Sequence, residues 1–76
     1  MNETIIKILT ELRPEFDFTE NVNFIEEGML DSFDVIKLVV ALDDAFSVKI
    51  NGMDILPESF TSIENIISLI EKSKKI

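Results

Sequence analysis

Gly28-Met29-Leu30-Asp31-Ser32-Phe33-Asp34-Val35-Ile36-Lys37-Leu38-Val39-Val40-Ala41-Leu42-Asp43-Asp44-Ala45-Phe46 is the stretch from which the rest of the chain can be read. Asp31 suits a helix N-cap, because its carboxylate can accept from N–H groups that the first turn leaves without partners. Asp34 falls in that first turn, where the helix dipole favours negative charge. These signals predict a helix over Ser32–Phe46. Ile36, Val39, Leu42 (or Asp43 opposite) and Phe46 trace one apolar stripe, and Val35, Leu38, Val40 and Ala41 are apolar as well. A helix apolar on more than one face cannot bury all of it in a small bundle, so some is expected to be exposed and open to partners.

Working back from Asp31, the chain from Pro14 is long for a connection, yet it is not a polar linker. Phe16, Phe18, Val22, Phe24, Ile25, Met29 and Leu30 give it apolar anchors, and it is expected to cross the bundle with them buried. Gly28 is expected where the backbone needs a conformation other residues avoid. Before it, Ile5, Ile8, Leu9 and Leu12 follow the i, i+3, i+4, i+7 spacing of an amphipathic helix. Asn2 is placed to cap that helix and Pro14 to stop it soon after Leu12.

Beyond Phe46, Ser47 to Gly52 breaks the helical pattern, with Val48 and Ile50 as loop anchors and Asn51-Gly52 as a turn. A short helical turn is expected around Ile55 to Phe60, with Pro57 tolerated in its first turn. Thr61 and Glu64 have capping-box spacing, and Ile63, Ile66, Ile67 and Ile70 repeat the helical stripe. Lys72, Lys74 and Lys75 suit the negative end of that last helix. The expected fold is all-α: a small four-helix bundle, three main helices plus one short helix, with a long first loop, in a single domain over residues 1–76. Two glycines and two prolines are too few for an all-β fold of many tight turns.

Composition narrows the chemistry. The chain has neither Cys nor His, which removes the usual ligands of zinc, copper and iron and the Cys–His and Ser–His nucleophile pairs. Its 15 Asp and Glu stand against 7 Lys and Arg, a net charge of −8. Such a chain repels nucleic acid and anionic headgroups and fits proteins with basic patches. A calcium loop over Ser47–Glu58 fails, because Ser47 and Lys49 stand where ligands are required. No metal site is expected. The N-terminus lacks the basic and small-residue features of a signal peptide, and no apolar run is long enough to span a bilayer. A soluble, cytoplasmic monomer is the expectation, with no membrane insertion.

Asp-Ser by itself is only a common way to open a helix. Here Ser32 follows a long loop, lies mid-chain in an acidic domain, and precedes a helix that mixes surplus apolar side chains with carboxylates. The run from Gly28 to Phe46 resembles the attachment region of the acyl carrier protein family, in which Asp-Ser and a large apolar residue open the second helix. The resemblance continues through Ile50 and through Phe60-Thr61-Ser62-Ile63, and covers essentially the whole chain. It implies a free-standing carrier, not an enzyme, with 4′-phosphopantetheine attached at Ser32. The arm would supply the thiol the chain lacks. Asp31 is given a part in the transferase reaction beside its cap. Acidic Asp31, Asp34, Asp43 and Asp44, with apolar Met29, Phe33 and Val40, match the family's docking surface. Lys37 stands where fatty-acid carriers are usually acidic, and Phe33 replaces the commoner Leu or Met. The implied partners are a phosphopantetheinyl transferase and basic-patched synthases or loading ligases of fatty-acid, polyketide or nonribosomal-peptide type pathways.

Two alternatives stay open. One is an aminoacyl carrier, of D-alanyl or peptidyl type, loaded by an adenylating ligase. The other is an acidic non-covalent interaction module that uses the Ser32–Phe46 helix and never modifies Ser32.

Overall fold

In the computed structural model, which describes residues 2–74, three α-helices hold the chain: α1 (Asn2–Leu12), α2 (Ser32–Phe46) and α3 (Ile63–Ser73). No strand occurs among the described residues, and the fold is the all-α bundle the spacing predicts. α2 has the expected bounds. α1 ends before Pro14 as expected, but Asn2 already lies within the helix and does not cap it.

Between α2 and α3 the short element is two 3-10 turns, Gly52–Asp54 and Pro57–Phe60. The second is the expected turn with Pro57 at its start, where a missing N–H costs nothing. The first replaces the expected Asn51-Gly52 turn: the Asn51 side chain accepts from the Met53 N–H and caps a short helical segment. The expected Thr61–Glu64 capping box does not form. α3 begins at Ile63, so Ser62 is the N-cap and accepts from the Asn65 N–H at 3.1 Å. Thr61 still belongs to the preceding turn and its hydroxyl donates to the Glu58 carbonyl. At the far end Lys72 lies in the last turn of α3 and Lys74 at its cap, while Lys75 lies outside the described residues.

The core joins Ile5 and Leu9 of α1, Leu38 and Leu42 of α2, Phe60, and Ile66 and Ile70 of α3, all fully buried. The long first loop enters this core as its anchors predict. Phe18, Phe24, Met29 and Leu30 are buried, and Phe16, Val22 and Ile25 pack against them. Phe18 and Phe24 meet edge to face with centroids 5.1 Å apart. Burying one such phenyl ring is worth about 1.5–3 kcal/mol, which is how an irregular segment is held without secondary structure. Its backbone is tied down as well: the Phe24 N–H donates to the Thr61 carbonyl, and the Phe24 carbonyl accepts from the N–H groups of Met29 and Leu30. Gly28 takes φ +73°, the left-handed conformation that lets the chain turn back onto Phe24.

The expected stripe of α2 holds at Val39, Leu42 and the half-buried Phe46, but not at Ile36. Val35, Leu38, Val39 and Leu42 face the core, whereas Ile36 is 60% exposed. Both phases have helical spacing. Val35 lies in register with Leu38, Val39, Leu42 and Phe46, whereas Ile36 lies in register with Val40, Asp43 and Asp44. Burying an unpaired carboxylate costs more than exposing one isoleucine.

Candidate functional site

The site is built at the start of α2. Asp31 is extended (φ −116°, ψ −175°), and its Oδ1 accepts from the Asp34 N–H at 2.9 Å. Asp34 Oδ2 accepts from the Asp31 N–H at 3.1 Å, which closes a reciprocal capping box. Because Asp31 makes the cap, the Ser32 hydroxyl is not spent on it. Ser32 is exposed at the first position of the helix. Just before it, buried Met29 and Leu30 fix the incoming chain. The serine is thus held between a buried anchor and a capped helix.

Arg13 completes the arrangement, and sequence reasoning missed it. Its Nε and Nη2 both lie 2.8 Å from Asp34 Oδ2, Nη2 lies 3.3 Å from Asp31 Oδ2, and Nη1 lies 3.2 Å from Glu15. Asp34 is the buried charged residue beneath the helix start, 5% exposed. Burial alone would push its carboxyl up. The Arg13 hydrogen bond, the Asp31 backbone N–H and the attraction of the guanidinium together outweigh this and hold it below its ordinary value. Arg13 is raised in turn, first by its hydrogen bond to Asp34 and then by that to Glu15. The only sequence signal for this network is that Arg13 is the sole arginine of an acidic chain.

The expected docking residues divide into two groups. Phe33 (74% exposed) and Val40 (66% exposed) lie on the surface, and with Ile36 they form an apolar strip at i, i+3, i+7 spacing. Lys37 and Asp44 are exposed on the same helix, as is Asp31 at its start. Asp43 is half-buried and its carboxylate accepts from the Ile50 N–H at 3.1 Å, so it ties down the following loop. Met29 and Asp34 are not surface residues, which corrects the sequence reading. Met29 is pulled into the core by the turn at Gly28, and Asp34 is turned inward by the cap and Arg13.

The chain has no imidazole to act as a base on this serine hydroxyl. No cluster of metal-ligating side chains occurs among the described residues. No described helix is long and apolar enough to cross a membrane. The arrangement can present a hydroxyl to an outside catalyst, and a helix N-terminus is favourable for the anionic group such a reaction would leave there.

Residues 3–70 match the family described as the phosphopantetheine attachment site. The chain is similar to an acyl carrier protein of Helicobacter hepaticus, 34% identical over 64 residues that cover 84% of this chain and 74% of that protein. An acyl carrier protein of Syntrophobacter fumaroxidans is 36% identical over 56 residues, covering 74% and 67%. A D-alanyl carrier protein of Bacillus velezensis is 26% identical over 74 residues, covering 95% of each chain. No solved structure matches.

Proposed function

This chain belongs to the acyl carrier protein family, whose members bear the phosphopantetheine attachment site, and from that premise we propose that Ser32 is the residue carrying the arm. The observation behind the assignment is the division of labour at the start of α2: Asp31 makes the cap, and the adjacent Ser32 is exposed with its hydroxyl left over.

Attachment from coenzyme A forms a bond between Ser32 Oγ and phosphorus and breaks the donor's phosphoanhydride bond. The 3′,5′-ADP portion leaves, and the hydroxyl proton passes to a base on the transferase. The resulting phosphodiester lies at the N-terminus of α2, where the dipole stabilises it. The arm supplies a thiol that holds acyl or aminoacyl cargo as a thioester. Catalysis then belongs to the partners: a phosphopantetheinyl transferase, and ligases or synthases that load and use the cargo. Their contact is the strip of Phe33, Ile36 and Val40, edged by Asp31, Lys37 and Asp44. Asp43 contributes at the far end of the helix, partly spent on Ile50. Cytoplasm is the compartment that fits a chain without cysteine.

The test is intact mass after incubation with coenzyme A and a broad-specificity phosphopantetheinyl transferase. One phosphopantetheine increment is expected on the wild type and none on Ser32→Ala. An unmodified wild type, beside a control carrier that is modified, would refute the assignment and favour the non-covalent module.

A further inference from the structure

We propose that Arg13 is a positioning residue for Ser32: its guanidinium locks the Asp31–Asp34 pair that frames the serine and so sets how fast the arm is attached. This rests on the assignment of Ser32 above.

Three observations carry it. First, the geometry spans the fold. Arg13 follows the last residue of α1, and its N–H donates to the Leu9 carbonyl, so its backbone is held by that helix. Its side chain reaches 18 residues along the sequence to Asp31 and 21 to Asp34. One planar fork therefore fixes the start of α2 relative to the end of α1, which a point charge on a flexible stem cannot do as well.

Second, the two carboxylates it holds are the two halves of the capping box. Asp34 Oδ2 accepts from the guanidinium and from the Asp31 N–H, and Asp31 Oδ1 accepts from the Asp34 N–H. Without Arg13, Asp34 is a buried carboxylate left without its charged partner, and a partner's loss is felt most where water cannot replace it. The readjustment falls on the residues either side of Ser32.

Third, the charge matters to the incoming group. The donor carries several phosphate charges and must approach a serine flanked by Asp31 and Asp34. Arg13 supplies the positive charge that offsets them; the exposed Lys37 lies five residues further along the helix. The ion pair away from Arg13 among the described residues, Lys72–Asp54, joins α3 to the first 3-10 turn and serves as a control.

The experiment measures kcat/KM for coenzyme A-dependent modification of the full chain by the same transferase, at a temperature where circular dichroism shows every variant folded. Arg13→Ala is expected to lose about five- to tenfold, less than the roughly hundredfold that a 1 Å misplacement of a reacting group can cost, because the mutual Asp31–Asp34 cap bonds remain. Arg13→Lys keeps the charge without the fork, so it recovers KM more than kcat. Lys72→Ala stays within twofold of wild type. Asp34→Asn in the Arg13→Ala background removes the uncompensated charge, so its effect is non-additive with the single changes. A folded Arg13→Ala within twofold of wild type overturns the proposal, as does an equal loss in Lys72→Ala.

Hydrogen exchange gives a second readout that needs no arm. In Arg13→Ala the Asp34 and Val35 amides, which bond to Asp31, should exchange faster while those of Ile66 and Ile70 do not change. Unchanged or uniformly accelerated exchange overturns the positioning role. A wild type that is never modified refutes the Ser32 assignment instead, and the exchange result still decides what Arg13 does.

Discussion

The capping residue and the proposed attachment residue are adjacent, so substitutions should separate fold from function. Asp31→Ala removes the oxygen that accepts from the Asp34 N–H at 2.9 Å and one side of the reciprocal box. Loss of an N-cap oxygen costs about 1 kcal/mol. Unfolding entropy of about 2.1 cal/mol/K per residue gives roughly 160 cal/mol/K for a chain of this length, so Tm should fall by about 6 °C. Asp31→Asn keeps a capping oxygen and should fall by much less. Ser32→Ala removes a hydroxyl the cap does not use and introduces the best helix former, so it should stay within about 0.5 kcal/mol of wild type. Thermal melts followed by circular dichroism at 222 nm, with urea titrations to check for constant m-values, measure all three. If Ser32→Ala loses as much stability as Asp31→Ala, the serine hydroxyl is part of the cap and the division of labour is wrong. If Asp31→Ala melts with the wild type, the reciprocal box contributes nothing to stability.

Two further perturbations probe what surrounds the site. At Gly28 a β-carbon would meet nothing within 4 Å, so the cost of Gly28→Ala is conformational alone. Left-handed strain of about 1–2 kcal/mol, less the gain from a stiffer unfolded chain, leaves a loss of about 1 kcal/mol in a urea titration, and Gly28→Asn should lose less. Asp34 has a lowered folded pKa, so its stabilising contribution is full above the ordinary carboxylate pKa of about 4 and disappears as pH falls through the folded value. Asp34→Asn should therefore be less stable than wild type at pH 7, with the gap narrowing in urea titrations taken stepwise to pH 3. A gap that is constant with pH would show that the lost interaction is not electrostatic.

The sequence by itself determined what depends on neighbours a few residues apart. The bounds of α2, the Asp31 cap, the left-handed Gly28, the stop at Pro14 and the helical stripes of α1 and α3 are all settled within one or two turns. The exposure of Ser32 was legible for the same reason, since it follows from the place after the cap, while the role proposed for it came from the family resemblance. Small shifts in such local signals misled only at the margins, where Ser62 rather than Thr61 opens α3 and Asn51 caps a turn of its own. What only the tertiary structure decided are matters of which face meets which. Two apolar phases run along α2, and the choice between Val35 and Ile36 depends on what α1 and the long loop bring against the helix. Met29 and Asp34 looked like surface residues until the loop folded one into the core and Arg13 drew the other inward. Arg13 itself carries no periodic or motif signal. Its role rests on contacts 18 and 21 residues away, and local spacing holds no information about such distances until packing closes the loop between them.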